Sequence, residues 1–302
     1  MNEPAPPAPA TSRFKPDPRP LPPGLYFVST PIGAARDITL RALDILATAD
    51  VLAAEDTRTL RHLMEIHGVA VGDRHIVAYH DHNGDAMRPR LLRALAEGKS
   101  VAYASEAGTP LVADPGYQLA RAAIAADQKV FAAPGASAVL AALAVAGLPS
   151  DKFLFAGFAP PTAGARARML KEMATVPATL VFYESPKRVG KILGEMVQAF
   201  GEEREAAVCR EMTKRFEEVT RGRLGDLATG FAQRPLKGEV VILIDRAQTV
   251  RVDQAGMEDA LAAALAVMTV KDATAEVAAT LGLPRREVYQ IALQLARNRA
   301  EE

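Results

Sequence analysis

Ser105-Glu106-Ala107-Gly108-Thr109-Pro110-Leu111-Val112-Ala113-Asp114-Pro115-Gly116 follows directly on a β-rich apolar run, Lys99 to Ala104, and sets two glycines and two prolines into twelve residues. Gly108 and Gly116 permit positive φ and close backbone approach, while Pro110 and Pro115 fix φ. The stretch reads as a rigid loop that presents amides and carbonyls to a small molecule.

Four further loops of this kind follow strand-like runs. Gly24 to Ser29 leads into Thr30-Pro31-Ile32-Gly33, after which Leu40, Leu43 and Leu46 recur at helical spacing behind Asp37 as the expected cap. Val51 to Ala54 leads into Glu55-Asp56-Thr57-Arg58 and a helix stopped by Gly68; His75 to Tyr79 leads into His80-Asp81-His82-Asn83 and a helix stopped by Gly98. Lys129 to Ala133 leads into Pro134-Gly135-Ala136-Ser137-Ala138 and an Ala/Leu-rich helix. Alternating β and α units imply a largely parallel sheet covered by helices. Their loops then gather on the carboxyl edge of the strands, where open α/β sheets bind ligands.

From Phe153 the pattern restarts, with strands expected at Phe153 to Phe158, Thr179 to Tyr183, Ala206 to Cys209 and Glu239 to Ile244. The fold class expected is therefore α/β: a Pro-rich disordered lead over 1–23, an α/β domain over 24–133, a second over 134–248 with a ligand cleft between the two, and a small helical bundle over 249–302. The bundle, with a Gly282-Leu283-Pro284 turn and an Arg-rich last helix from Arg285 to Arg299, resembles a helix-turn-helix.

Composition narrows the function. Nine of the 21 prolines lie in residues 1–23, a segment without the apolar core of a signal peptide. The longest apolar run, Ala138 to Leu148, is too short to span a bilayer, so a soluble cytoplasmic protein is expected. Cys209 is the single cysteine and sits in an expected strand, which favours an inert buried thiol. The dinucleotide and P-loop glycine motifs and the nucleophile elbow are absent. Five histidines lie between His62 and His82, but their spacing does not suit a zinc site, so no metal is expected. Net charge is zero, yet Arg58 and Arg61, Arg88 to Arg93, Arg166 to Lys171 and Arg210 to Arg223 are basic groups able to line one cleft and meet nucleic acid.

Thr30 to Gly33, Asp37 to Leu43, Ala54 to Arg58, Ser105 to Gly116, Phe182 to Pro186, and Glu211 to Lys214 with Glu217-Glu218 together resemble the ribosomal RNA small subunit methyltransferase I family of the tetrapyrrole methylase superfamily. The chain departs from that family's usual residues at Ala34-Ala35, Glu106 and Lys187. The resemblance implies S-adenosylmethionine as methyl donor, the 2′-hydroxyl of a cytidine in the decoding region of 16S rRNA as acceptor, and a homodimer. It also implies cofactor contacts at Pro31, Ala107, Gly108, Thr109, Val112, Ser137, Ala138, Glu184 and Met212. Because a ribose hydroxyl is a weak nucleophile, a base or neighbouring cation is expected near it; Glu55, Asp56, Arg58, Lys187 and Lys214 are the candidates. Asp56 with Arg58 reads equally as an ion pair or helix cap. Two alternatives stand beside this reading: a methylase of tetrapyrrole or diphthamide type on the same scaffold, and a non-catalytic ribosome-binding protein.

Overall fold

The computed structural model describes residues 15, 17, 19–80, 82–113, 115–247, 254–281, 283 and 285–301. Most of the Pro-rich lead, Asp81, Asp114, the expected boundary at 248/249, and Gly282 and Pro284 lie outside the described residues.

The first sheet contains β1 (Gly24–Val28), β2 (Val51–Ala54), β3 (Ile76–Ala78), β4 (Ser100–Ala104) and β5 (Val130–Ala133), in the order β3-β2-β4-β1-β5 with every pairing parallel. Apolar side chains alternate to both faces because both are covered. Tyr26 and Val28 meet Leu43 and Leu46 of α1 (Leu40–Thr48) and Leu60 and Met64 of α2 (Thr57–Ile66). Leu25, Phe27 and Tyr103 meet Leu91 and Leu95 of α3 (Gly84–Ala96) and Leu119 of α4 (Tyr117–Ala125). Each such side chain, fully buried, contributes roughly 1.5–3 kcal/mol.

Thr39, not Asp37, caps α1: its extended backbone immediately precedes the first turn and its hydroxyl accepts from the Ala42 amide at 3.1 Å. Asp37 belongs to the preceding turn, where its amide donates to the Ala34 carbonyl. The described end of the lead makes local contacts with the first sheet. Leu21 packs on the first-sheet core, the Asp17 amide donates to Asp44 Oδ1 at 2.8 Å, and the Tyr26 hydroxyl donates to the Pro22 carbonyl at 2.8 Å. One apolar anchor is enough to dock that end of a Pro-rich segment.

The second sheet runs β6-β7-β10-β8-β9, made of β6 (Phe153–Phe158), β7 (Thr179–Glu184), β8 (Glu205–Arg210), β9 (Glu218–Arg223) and β10 (Val240–Ile244). Only β6 and β7 pair in parallel. Its helices are α5 (Ala138–Ala146), α6 (Ala163–Met173), α7 (Val189–Phe200) and α8 (Leu224–Phe231). Val139, Ala142 and Leu143 of α5 pack on Val181, Ala207 and Leu243 of this sheet, and Ile32 from the loop after β1 joins the same cluster. The two sheets thus share one compact unit. The C-terminal residues form another, in which α9 (Gln254–Leu265), α10 (Val270–Leu281) and α11 (Arg285–Glu301) enclose Leu261, Val277, Val288 and Ala292.

Candidate active site between the two sheets

Strand order assembles the site. Because β4, β1 and β5 lie side by side, the loops that leave their carboxyl ends meet. Thr30 and Gly108 exchange backbone bonds in both directions, at 2.9 and 3.0 Å. Ser105 Oγ donates to the Gly108 carbonyl at 2.6 Å, Thr30 Oγ1 to the Ser105 carbonyl at 3.2 Å, and Thr109 Oγ1 to the Ala136 carbonyl at 3.0 Å. These hydroxyls, of which those of Thr30 and Ser105 had no role assigned from sequence, hold the loop that follows β4 between its neighbours. Gly108 has φ of 82°, and a Cβ there would lie 3.2 Å from Ile32 Cγ2. Across the cleft, the Ala34 amide donates to Thr213 Oγ1 at 3.1 Å. Left-handed backbone at Leu111, Ala113, Glu211 and Thr213 flanks this region. Such conformations cost about 1–3 kcal/mol each and persist only where surroundings enforce them.

The resulting cleft encloses about 440 Å³. Of the residues that the resemblance assigns to the cofactor, Ala107, Gly108, Thr109, Val112, Ser137, Ala138, Glu184 and Met212 line it; Pro31 does not, and Ile32 takes that place. Among the catalytic candidates, Glu55 alone lines it. Phe158, Tyr183, Gly238, Glu239 and the Glu106 carboxylate, none of them assigned from sequence, complete the wall. A strand start such as Glu239 carries no local pattern that marks it as a site residue. Gly238 beside it has φ of 89°, a left-handed backbone that favours glycine.

The remaining candidates are occupied or remote. Asp56 caps α2, accepting from the Arg58 amide at 2.7 Å, and pairs with the Arg58 guanidinium at 2.8 Å. The Arg58 hydrogen bonds hold its carboxyl down at about 2, so it has little affinity for a proton at neutral pH. Lys214 Nζ bridges Glu211 at 2.8 Å and Glu239 at 2.7 Å; burial pulls its pKa down, but the two carboxylates prevail and raise it. Lys187 is exposed on the turn after β7. The basic groups do not gather in the cleft, whose lining holds Glu55, Glu106, Glu184 and Glu239 but no lysine or arginine. Instead Arg166 is buried against Glu195 and the Pro160 carbonyl, Arg210 pairs with Glu218, and Arg221 donates to the Val145 carbonyl.

The cleft carries the features that a cationic, donor-rich ligand needs. Glu184 Oε1 accepts from the Ser185 amide at 2.7 Å, whereas its buried Oε2 and the buried Glu55 Oε2 have no hydrogen-bond partner. Burial raises the Glu184 carboxyl, with the Ser185 amide and Arg188 opposing. Burial also raises Glu106, helped by the charges of Glu55, Asp56 and Glu239 and opposed by Arg58. Among the described residues no cluster of three or more His, Cys, Asp or Glu is placed to hold a metal ion. Burial pushes the Cys209 thiol up to about 11, which leaves it unreactive.

Comparison with known proteins agrees with this geometry. The profile of the Tetrapyrrole (Corrin/Porphyrin) Methylases matches residues 24–228, and that of the RsmI C-terminal HTH domain matches 251–296. A ribosomal RNA small subunit methyltransferase I from Mesorhizobium japonicum is 47% identical over 278 residues, covering 92% of this chain and 94% of that protein. The crystal structure of the methyltransferase CobJ shares the fold, with a TM-score of 0.57 at 20% identity over 76% of this chain and 97% of that one. So does uroporphyrin-III C-methyltransferase from Thermus thermophilus complexed with S-adenosylhomocysteine, with a TM-score of 0.50 at 23% identity over 76% of this chain and 100% of that one. The chain therefore belongs to the ribosomal RNA small subunit methyltransferase I family of the tetrapyrrole methylases.

Proposed function

We propose that this protein transfers a methyl group from S-adenosylmethionine to the 2′-hydroxyl of a cytidine in the decoding region of 16S rRNA. The observation that carries this reading is the cleft of clamped loops and unpartnered carboxylates, in a chain 47% identical to a relative named for small-subunit rRNA methylation. When bound, S-adenosylmethionine supplies an electrophilic methyl carbon on a positively charged sulfur.

Ala107, Gly108 and Ala138 admit the cofactor closely because they carry little or no side-chain bulk, and Thr109, Val112, Ser137 and Met212 complete the enclosure. The free Oε2 atoms of Glu184 and Glu55 accept hydrogen bonds from its ammonium or hydroxyl groups, and the four glutamates favour its positive charge. Most of the rate gain in an in-line displacement comes from holding the reacting groups collinear. Glu106, which lines the cleft beside Ala107 and Gly108, serves as the proton acceptor for the ribose hydroxyl, and its raised pKa makes it a stronger base than an ordinary carboxylate. Asp56, Arg58 and Lys214 shape the field around it, and Lys187 lies near the cleft mouth beside Pro186.

The reading extends to partners. The C-terminal unit presents Lys271, Arg285 and Arg286 around one hollow, a surface suited to RNA phosphates. Leu140 is 57% exposed and lines a groove with Ile38, and Leu40 beside it is 70% exposed; association into a homodimer would cover both. No helix among the described residues is long and apolar enough to cross a membrane, and an rRNA substrate supports a cytoplasmic location.

Mapping of ribose methylation in 16S rRNA from cells lacking the protein tests the proposal: one cytidine should lose its methyl group and regain it on complementation. Small subunits carrying 2′-deoxycytidine at that position should bind at similar strength and accept no methyl group. Incorporation into the deoxy substrate, or transfer to a free tetrapyrrole instead, would overturn it.

A further inference from the structure

The lining of the methyl-transfer cleft holds four glutamates and no lysine or arginine. The cations that touch it are already paired, Lys214 with Glu239 and Arg188 with Glu184, so it offers no free cation to the phosphates that flank the nucleotide it must receive. The grip on the strand has to lie elsewhere. The loop that walls the cleft with Glu106 to Ala113 continues into Pro115 and Gly116, and these border a second hollow of about 460 Å³ at the ends of β3 and the start of α4.

Resting on the RNA reading above, we infer that this second hollow is a nucleotide subsite for the single strand beside the target cytidine. Tyr117 at its rim is 58% exposed, and the Arg121 guanidinium lies 5.7 Å from its ring centroid. An exposed aromatic ring with a flanking guanidinium is a stacking platform for a nucleobase. Arg88 lines the hollow, held by the Tyr79 hydroxyl at 3.4 Å and by Asp85 at 3.1 Å. Because the Asp85 side chain is fully exposed, that ion pair is weak and a phosphate oxygen competes for the guanidinium. His80 adds a buried Nδ1 with no hydrogen-bond partner, while its backbone amide is fixed by Asn83 Oδ1 at 2.9 Å. Gly116 fixes the turn into α4 at the edge of the hollow: its φ is 118°, and a Cβ would meet the buried rings of Tyr103 at 3.2 Å and Phe27 at 3.3 Å. A ring for the base and a guanidinium for the phosphate, with His80 in the same lining, match one nucleotide.

The test starts with wild-type protein, small ribosomal subunits and radiolabelled S-adenosylmethionine; absence of transfer there defeats the RNA reading itself. Given transfer, Tyr117→Ala is expected to raise KM for subunits roughly tenfold, the scale of one lost base stack, with kcat and cofactor affinity unchanged. Tyr117→Phe should restore the wild-type KM. Arg88→Gln should lower the slope of log affinity against log salt by about one, as loss of one phosphate contact requires. A wild-type KM in Tyr117→Ala, or a rise matched by an equal loss of cofactor affinity, overturns the subsite. An unchanged salt slope in Arg88→Gln removes the phosphate contact, and with it the assignment to a nucleotide.

Discussion

Gly108 carries two constraints at once, a left-handed backbone and an approach of 3.2 Å to Ile32. Gly108→Val should therefore abolish S-adenosylmethionine binding by calorimetry and destabilise the chain by about 1–3 kcal/mol, with the far-UV spectrum retained. Undiminished affinity in the folded variant would remove the loop from the site. Asp56 makes the opposite case, a residue of catalytic type spent on structure. Its pKa is depressed from 3.8 to about 2, so the stability it contributes is complete above pH 3.8 and lost as pH falls toward 2. In thermal melts from pH 6 to pH 2, wild type should exceed Asp56→Asn at the upper end and lose that advantage between about 4 and 2. The same variant should retain kcat far better than the roughly hundredfold loss that removal of a general base causes; a loss of that size would return Asp56 to the chemistry.

At the scale of elements, periodicity and turn residues were reliable wherever a strand is buried on both faces. β2 falls at its expected bounds, because an apolar run between turn residues admits few other readings, and so does β6, although it lies at a sheet edge with its residues half-buried or exposed. β9 was not legible: Glu218, Arg221 and Arg223 occupy it, and as an edge strand it needs no apolar face. At the described end of the lead, Asp17, Leu21 and Pro22 make contacts that its proline-rich composition did not indicate. Deleting residues 1–22 should lower stability by about 1–2 kcal/mol, from partial burial of one leucine and two hydrogen bonds. An unchanged melting temperature would show that these contacts contribute nothing.

For the whole molecule, zero net charge conceals a division between an acidic cleft and a basic hollow in the C-terminal unit. Affinity for small subunits should fall steeply with salt through counterion release, while cofactor affinity should barely change. Arg285→Ala with Arg286→Ala should reduce the salt slope by about one to two units. An unaltered slope would leave the C-terminal helices a stabilising role only.

By itself the sequence determined the parallel first sheet, the restart at Phe153, the glycine-bearing loops and the family, because all of these are written in residues close together along the chain. Only the tertiary structure decided which residues face the cleft. Strand order brings Thr30 to Gly108 and Glu239 to Lys214, contacts spanning dozens of residues that no local pattern encodes. It also decided charge: Arg166 and Arg210, which read from sequence as part of a basic cleft, are drawn off to Glu195 and Glu218, since a buried or half-buried guanidinium must find acceptors within reach, and the exposed Arg221 turns to the Val145 carbonyl.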